Sequence, residues 1–314
     1  MTENEFFESV KDRILDYLPE EYAGSNVRLE EVTKNNDTSL HGLTIVKIGD
    51  YASPVVYLDG YYADHQNGRD MDDICNDVAK TFRLYLAKGI GLEKLDLRYD
   101  AVRDNLRVKL VNNKANKENL KRLIHQPVPC GFSMVPYIDV PTNIMPEAMI
   151  QVTRDMAANF GYDPEQLIAD AVTNTQAECA PGLYRIEDML FGNADAHENL
   201  LKSSDTDISG LLVLTNDEET YGAVSLYLPD VQEQISEAVG GSYFVLPSSV
   251  HELLILPDNG DHNARELAMM VKAVNSEMVA PEEKLGDRVL RYDADSARLG
   301  IAADLERVGK GVER

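Results

Sequence analysis

The chain has 314 residues, 44% of them hydrophobic, and sets 54 Asp and Glu against 30 Lys and Arg for a formal net charge of −24. That apolar fraction places it among globular rather than disordered proteins, and the length suits two lobes of ordinary domain size. The acidity argues against nucleic-acid binding by the usual neutralisation of phosphates with Lys and Arg, and no apolar run approaches the roughly 18–20 residues of a membrane-spanning helix.

The expected fold is α+β, with helices and largely antiparallel sheets mixed in two lobes, an N-terminal one at 1–92 and a larger one at 93–314. Thr2 and Glu5 have capping-box spacing, and Phe6, Val10, Ile14 and Leu18 recur every fourth residue until Pro19. Val27 and Leu29, then Leu43 and Ile45, then 55–58 form β-rich stretches separated by the turn signals Asn35-Asn36-Asp37 and Gly49-Asp50, which predicts a small antiparallel sheet. Asp70 is placed to cap a helix whose apolar stripe is Met71, Ile74, Val78, Phe82 and Tyr85, and Gly89 and Gly91 close this lobe.

In the second lobe the alternating LRVKLV from Leu106 predicts a half-buried strand, and 133–140, bracketed by Pro129, Pro136 and Pro141, predicts an edge strand. Asp163-Pro164-Glu165-Gln166 is a helix start with a cap and a proline at the first position. The last third predicts a strand at 211–214, a helix at 229–239 ended by Gly240, strands at 243–246 and 252–256, a helix at 264–275 and a strand at 288–292. Hairpin-like neighbours mixed with helices favour α+β over a doubly wound parallel sheet.

No phosphate loop, dinucleotide turn, HExxH helix or GxSxG elbow occurs, so no cofactor is expected. Asp205-Thr206-Asp207-Ile208-Ser209-Gly210 begins like a calcium loop, with candidate ligands Asp205, Asp207 and Ser209, but its twelfth position is Asn216 instead of a bidentate Glu. A solvated acidic loop is the plainer reading. Neither His197-Glu198 nor His251-Glu252 has the histidine partner four residues away that helical zinc sites use. Ser249 and His251 are close enough to suggest a nucleophile and base, although Pro247-Ser248-Ser249 also reads as the turn between two strands. Cys130, five residues after His125, is the thiol candidate. Cys75, Cys130 and Cys179 are odd in number, widely spaced and suited to buried reduced thiols. Tyr51, Tyr57, Tyr61 and Tyr62 gather aromatic groups that suit either a contact surface or half-buried packing.

EEVTKNN at 30–36, SPVVYLDGYY at 53–62, NGRDMDDI at 67–74, LPSSVHELLILPD at 246–258 and VNSEMVAPEEKLGDRVLRYD at 274–293 together resemble a bacterial family known as domain of unknown function 5688, found largely in gut Firmicutes. The resemblance spans nearly the whole chain, and its later part is remotely similar to the YtpQ family. It implies a bacterial, intracellular protein and carries over no activity, cofactor or catalytic residue.

The acidic opening at residues 1–5 lacks the basic and apolar regions of a secretory signal, so a cytoplasmic location is expected. Three functions of different class remain. The first is a non-enzymatic interaction or adaptor protein with a protein partner. The second is an acidic decoy for a nucleic-acid-binding protein, with the dispersed acids serving solubility as the competing reading. The third is a hydrolase with a scattered active site using the Ser249/His251 neighbourhood or the Cys130 thiol.

Overall fold

The computed structural model of the protein describes residues 1–46, 53–87, 96–141, 148–191, 198–203 and 208–304. Outside the described residues lie Tyr51, the Gly49-Asp50 turn, Gly89, Gly91, His197 and Asp205, Thr206 and Asp207, as does the side chain of Tyr85. The chain divides into two units, one of residues 1–34, 38–97 and 140–148, the other of residues 35–37, 98–139 and 149–314. Every strand pair among the described residues is antiparallel, and helices are interspersed with the strands, so the fold is α+β.

In the first unit α1 (Glu3–Arg13) begins with a complete capping box: Thr2 Oγ1 accepts from Glu5 N–H at 3.4 Å, and Thr2 N–H donates to Glu5 Oε2 at 2.8 Å. It passes into a 3-10 turn at Ile14–Tyr17 before Pro19. Strands β1 (Asn26–Thr33), β2 (Ser39–Val46) and β3 (Val55–Tyr57) pair in that order. Helices α2 (Asp59–Gln66) and α3 (Met71–Ala87) follow, the latter capped by Asp70, whose carboxylate accepts from Asp72 N–H at 2.7 Å. Phe6, Val10 and Ile14, the sheet residues Leu43 and Ile45, and Ile74, Val78 and Phe82 of α3 meet in one core. The every-fourth-residue stripes of both helices therefore face the alternating stripe of β2.

The second unit holds two sheets. The first joins β4 (Leu106–Asn112), β5 (Gln126–Val128), β6 (Phe132–Asp139) and β7 (Met149–Gln151), with the short helices α4 (Tyr99–Val102) before β4 and α5 (Asn119–Arg122) before β5. Two expectations fail here. β4 is buried along nearly its full length, including Arg107 and Lys109, instead of showing one wet face. β6 is an interior strand paired to β4 on one side and to β5 and β7 on the other, not an edge. Pro136 is tolerated because β5 pairs with 132–134 and β7 with 137–139, leaving a gap on the side where the proline lacks its donor. The direction of that side follows from Val108, the partner of Pro136, whose N–H points away from β6 and donates to Thr175 Oγ1 at 2.9 Å.

Thr175 belongs to α7 (Pro164–Glu178), which follows α6 (Arg154–Phe160) and starts, as its sequence predicts, with Asp163 capping Glu165 N–H and Pro164 at the first position. The second sheet has six strands in the order β13-β12-β10-β11-β9-β8: β8 (Pro181–Arg185), β9 (Leu212–Asn216), β10 (Tyr243–Pro247), β11 (Leu253–Pro257), β12 (Val289–Asp293) and β13 (Arg298–Ala303). Helices α8 (Ile186–Phe191), α9 (Val231–Val239) and α10 (Ala264–Met278) lie between them in sequence, α9 ending at the left-handed Gly240. Leu267, Ala268 and Val271 of α10 pack on Phe244, Leu246 and Val289 of the sheet. Tyr243, one residue out of phase with Phe244, takes the other face, where its hydroxyl donates to Gln232 O in α9 at 3.2 Å.

Candidate functional site

Residues 247–251 do form a turn, between β10 and β11. Ser249 is 8% exposed, and its hydroxyl accepts the backbone N–H of His251 at 3.1 Å, so it closes the turn locally. The imidazole of His251 is held elsewhere. Its Nδ1 accepts from Tyr221 N–H at 3.3 Å, its ring stacks on Tyr221 at 5.2 Å, and its Nε2 lies 3.7 Å from Glu283 Oε1. With Nδ1 accepting, the neutral ring carries its proton on Nε2. The buried Lys109 places its ammonium 5.0 Å from the centroid of the Tyr221 ring on this same cluster. Thus Ser249 and His251 meet through backbone and hydroxyl, and among the described interactions no bond joins the Ser249 hydroxyl to the imidazole that would activate it.

Burial pushes the His251 pKa down; Glu283 pulls it up and Lys109 adds to the lowering. A folded value below the unfolded one of about 6.5 means that the unfolded chain binds more protons in this window, so stability rises with pH. The contribution is full above the unfolded value and is lost as pH falls through the depressed folded value. Urea denaturation from pH 7.5 to 5.5 should therefore show declining stability in the parent chain and a flatter profile in His251→Phe. Comparing the two removes the contributions of Asp139 and Glu252, whose carboxyls burial pushes up and whose effect has the opposite sign.

Cys130 sits half-buried in left-handed backbone, φ 65°, with Sγ 3.9 Å from Leu299 O. Burial pushes its thiol up more than Arg288 pulls it down, which favours the protonated form over the nucleophilic thiolate. His125 turns its Nδ1 to Leu123 O at 3.3 Å. The Cys130 carbonyl accepts from Arg288 Nη1 at 3.3 Å, and Arg288 lines a cleft of about 420 Å³ together with Asn112, Lys114, Lys272, Asp287 and Asp304. None of these six carried a motif that singled it out: they come from the end of β4 and the turn after it, from α10, from the approach to β12 and from the residue after β13.

Tyr57 lies under Lys34, whose Nζ is 4.0 Å from the ring centroid. Tyr61 and Tyr62 pack against the core of the first unit, Tyr62 at 5.5 Å from Phe6. Ser209 is exposed, and its partners in the proposed calcium loop lie outside the described residues. No group of three or more His, Cys, Asp or Glu side chains placed to hold a metal occurs among the described residues.

One exposed surface stands apart. Along the edge of its buried face, α10 presents Met270, Val274 and Met278 at 57%, 47% and 78% exposure, spaced four residues apart. At 100° per residue, the exposed Glu266 and Glu277 fall beside this stripe, whereas Lys272 falls on the far flank toward the cleft.

Fold and surfaces together define an acidic α+β protein of two units. The chain belongs to the family of unknown function DUF5688, whose profile matches residues 3–294. No curated protein and no solved structure matches the chain. No helix among the described residues is long and apolar enough to cross a membrane.

Proposed function

We propose that the protein is a non-enzymatic interaction protein whose α10 surface docks a basic amphipathic helix of a partner protein. The observation that carries this reading is the Met270–Val274–Met278 stripe with Glu266 and Glu277 beside it. Unbranched methionines adapt to varied apolar side chains, which suits a surface that receives another helix. The partner's charge follows from the flanking glutamates and from the net charge of −24, which draws cations from a distance and repels a second copy of the chain. The proposed setting is the bacterial cytoplasm, a compartment that keeps thiols reduced, in keeping with three free cysteines.

The test is fluorescence titration of the full chain with a leucine–lysine peptide that gathers its leucines on one helical face, against a scramble of equal composition. The amphipathic peptide should bind more tightly, weaken as salt rises, and lose about tenfold or more in affinity to Met270→Lys/Val274→Lys, the loss of about 1.4 kcal/mol or more that a charge in an apolar contact brings. Equal binding of the scramble, or indifference to the double substitution, overturns the docking reading in favour of contact by charge alone, as in an acidic decoy.

A further inference from the structure

The cleft on the far flank of α10 has the size of a small-molecule site, such sites spanning roughly 300–1,000 Å³, and its lining departs from the character of the whole chain. Lys114, Lys272 and Arg288 outnumber Asp287 and Asp304, so its local balance is positive in a protein of net charge −24. The frame is rigid. Asn112 Oδ1 accepts from the amides of Lys114 at 2.9 Å and Ala115 at 3.2 Å, while its Nδ2 donates to Leu285 O at 2.7 Å, which ties the end of β4 to the segment before β12. Gly286, φ +124°, permits this approach, since a Cβ there would lie 2.9 Å from Asn112 Nδ2. Arg288 is oriented too: its Nε donates to Asp304 Oδ2 at 3.0 Å and its Nη1 to Cys130 O at 3.3 Å. Two bonds leave further N–H donors of the five on that guanidinium.

Against this ordered frame stand two groups without internal partners. The side chains of Lys272 and Asp287 make no hydrogen bond or ion pair among the described residues, although both line the cleft. A bare anion would satisfy Lys272 and Arg288 and be repelled by Asp287; a bare cation would meet the reverse. The lining fits a ligand that brings an anionic group and hydrogen-bond donors together. The geometry points to a binding site for a small hydroxylated phosphate ester of the sugar-phosphate class, its phosphate held by Arg288 and Lys272 and its hydroxyls donating to Asp287. Arg288 suits the phosphate because its planar fork presents parallel donors and it is already fixed by Asp304.

Isothermal titration of the full chain with ribose 5-phosphate, inorganic phosphate and ribose tests the site. Ribose 5-phosphate should bind more tightly than inorganic phosphate, and ribose should give no heat of binding. Lys272→Glu should weaken ribose 5-phosphate by about tenfold or more, as expected for reversing a charge on the anion. Asp287→Asn should bring ribose 5-phosphate and inorganic phosphate to within about twofold of each other, because the charged acceptor for the hydroxyls is gone. Since neither side chain has an internal partner, both variants should melt with the parent chain. Met270→Lys/Val274→Lys, which removes the proposed docking stripe, should leave these titrations unchanged, so the two proposals fail separately. No binding of ribose 5-phosphate at millimolar concentration, or binding that Lys272→Glu leaves intact, overturns the assignment.

Discussion

Phe6→Ala is expected to destabilise the first unit by about 3–5 kcal/mol, the range for truncating an enclosed aromatic side chain. Phe6 is fully buried, with Phe7, Tyr62 and His65 at centroid distances of 5.9, 5.5 and 5.3 Å. The cost belongs at the upper end because the surroundings resist collapse into the void. His65 is tied by Nδ1 to Arg69 O at 3.1 Å, and α1 is fixed at its start by the Thr2–Glu5 capping box. Urea unfolding should show a lower midpoint with an unchanged slope, and Phe6→Leu, which refills much of the volume, should recover more than half of the loss. A loss below about 1 kcal/mol would mean that α1 does not close this core.

The same residues show why the first unit was readable in the sequence. Phe6, Val10 and Ile14, or Met71, Ile74, Val78 and Phe82, are stripes that only a helix gathers on one face, and the caps Thr2 and Asp70 announce where each begins. In the second unit the longer elements were equally plain, whereas the strands β5, β7, β8 and β13 and the short helices α4, α5, α6 and α8 went unread, and burial was not legible. Arg107 and Lys109 read as a wet face because charge ordinarily stays in water, and what encloses them is non-local: Lys109 lies over Tyr221, more than a hundred residues away. Pro136 signalled an edge because the gap between β5 and β7 that accommodates it is a property of three strands together. The turn Asn35–Asp37 was legible as a turn. That Asn36 Nδ2 donates to Pro281 O at 2.8 Å and Lys284 O at 2.7 Å was not, since nothing local records so distant an acceptor.

Candidate chemistry was less legible for a related reason. Sequence proximity drew attention to Ser249 and His251, yet the two-residue spacing is what lets the serine hydroxyl bond the histidine's own backbone amide, a use that competes with catalysis. The cleft and the α10 stripe lack motifs because each depends on what the fold leaves unpaired. Met270, Val274 and Met278 continue an amphipathic helix whose buried face is Leu267, Ala268 and Val271, and only the packed sheet shows which apolar residues remain outside. Lys272 and Asp287 are ordinary surface charges until Asn275 of α10, donating to Gly286 O at 3.2 Å, draws their segments together.

Gly222→Ala should cost about 3 kcal/mol, near the upper end for over-packing a core, and should release His251. Gly222 is buried, and a Cβ on it would stand 2.6 Å from Asn216 N and 2.7 Å from His251 O, besides meeting the Thr215 hydroxyl. Its φ is not in the left-handed range, so the penalty is steric rather than conformational. Neither backbone can retreat freely, because Thr215 Oγ1 donates to His251 O at 2.9 Å, Ser225 Oγ to Thr215 O at 3.2 Å and Ala223 N–H to Val250 O at 3.3 Å. Relief must therefore come from moving the turn that carries His251 away from β9, which separates its imidazole from Tyr221 N–H and exposes it. Water at the ring removes the burial that depresses its pKa, so histidine proton resonances should show His251 titrating closer to an ordinary histidine in Gly222→Ala than in the parent chain. Gly161→Ala supplies the contrast: its φ of +68° is left-handed but the space around it is open, so it should lose about 1 kcal/mol and leave the His251 titration where it was. If Gly222→Ala matched Gly161→Ala in both stability and titration, the close packing of residues 215–225 against the 249–251 turn would not be what sets the state of His251.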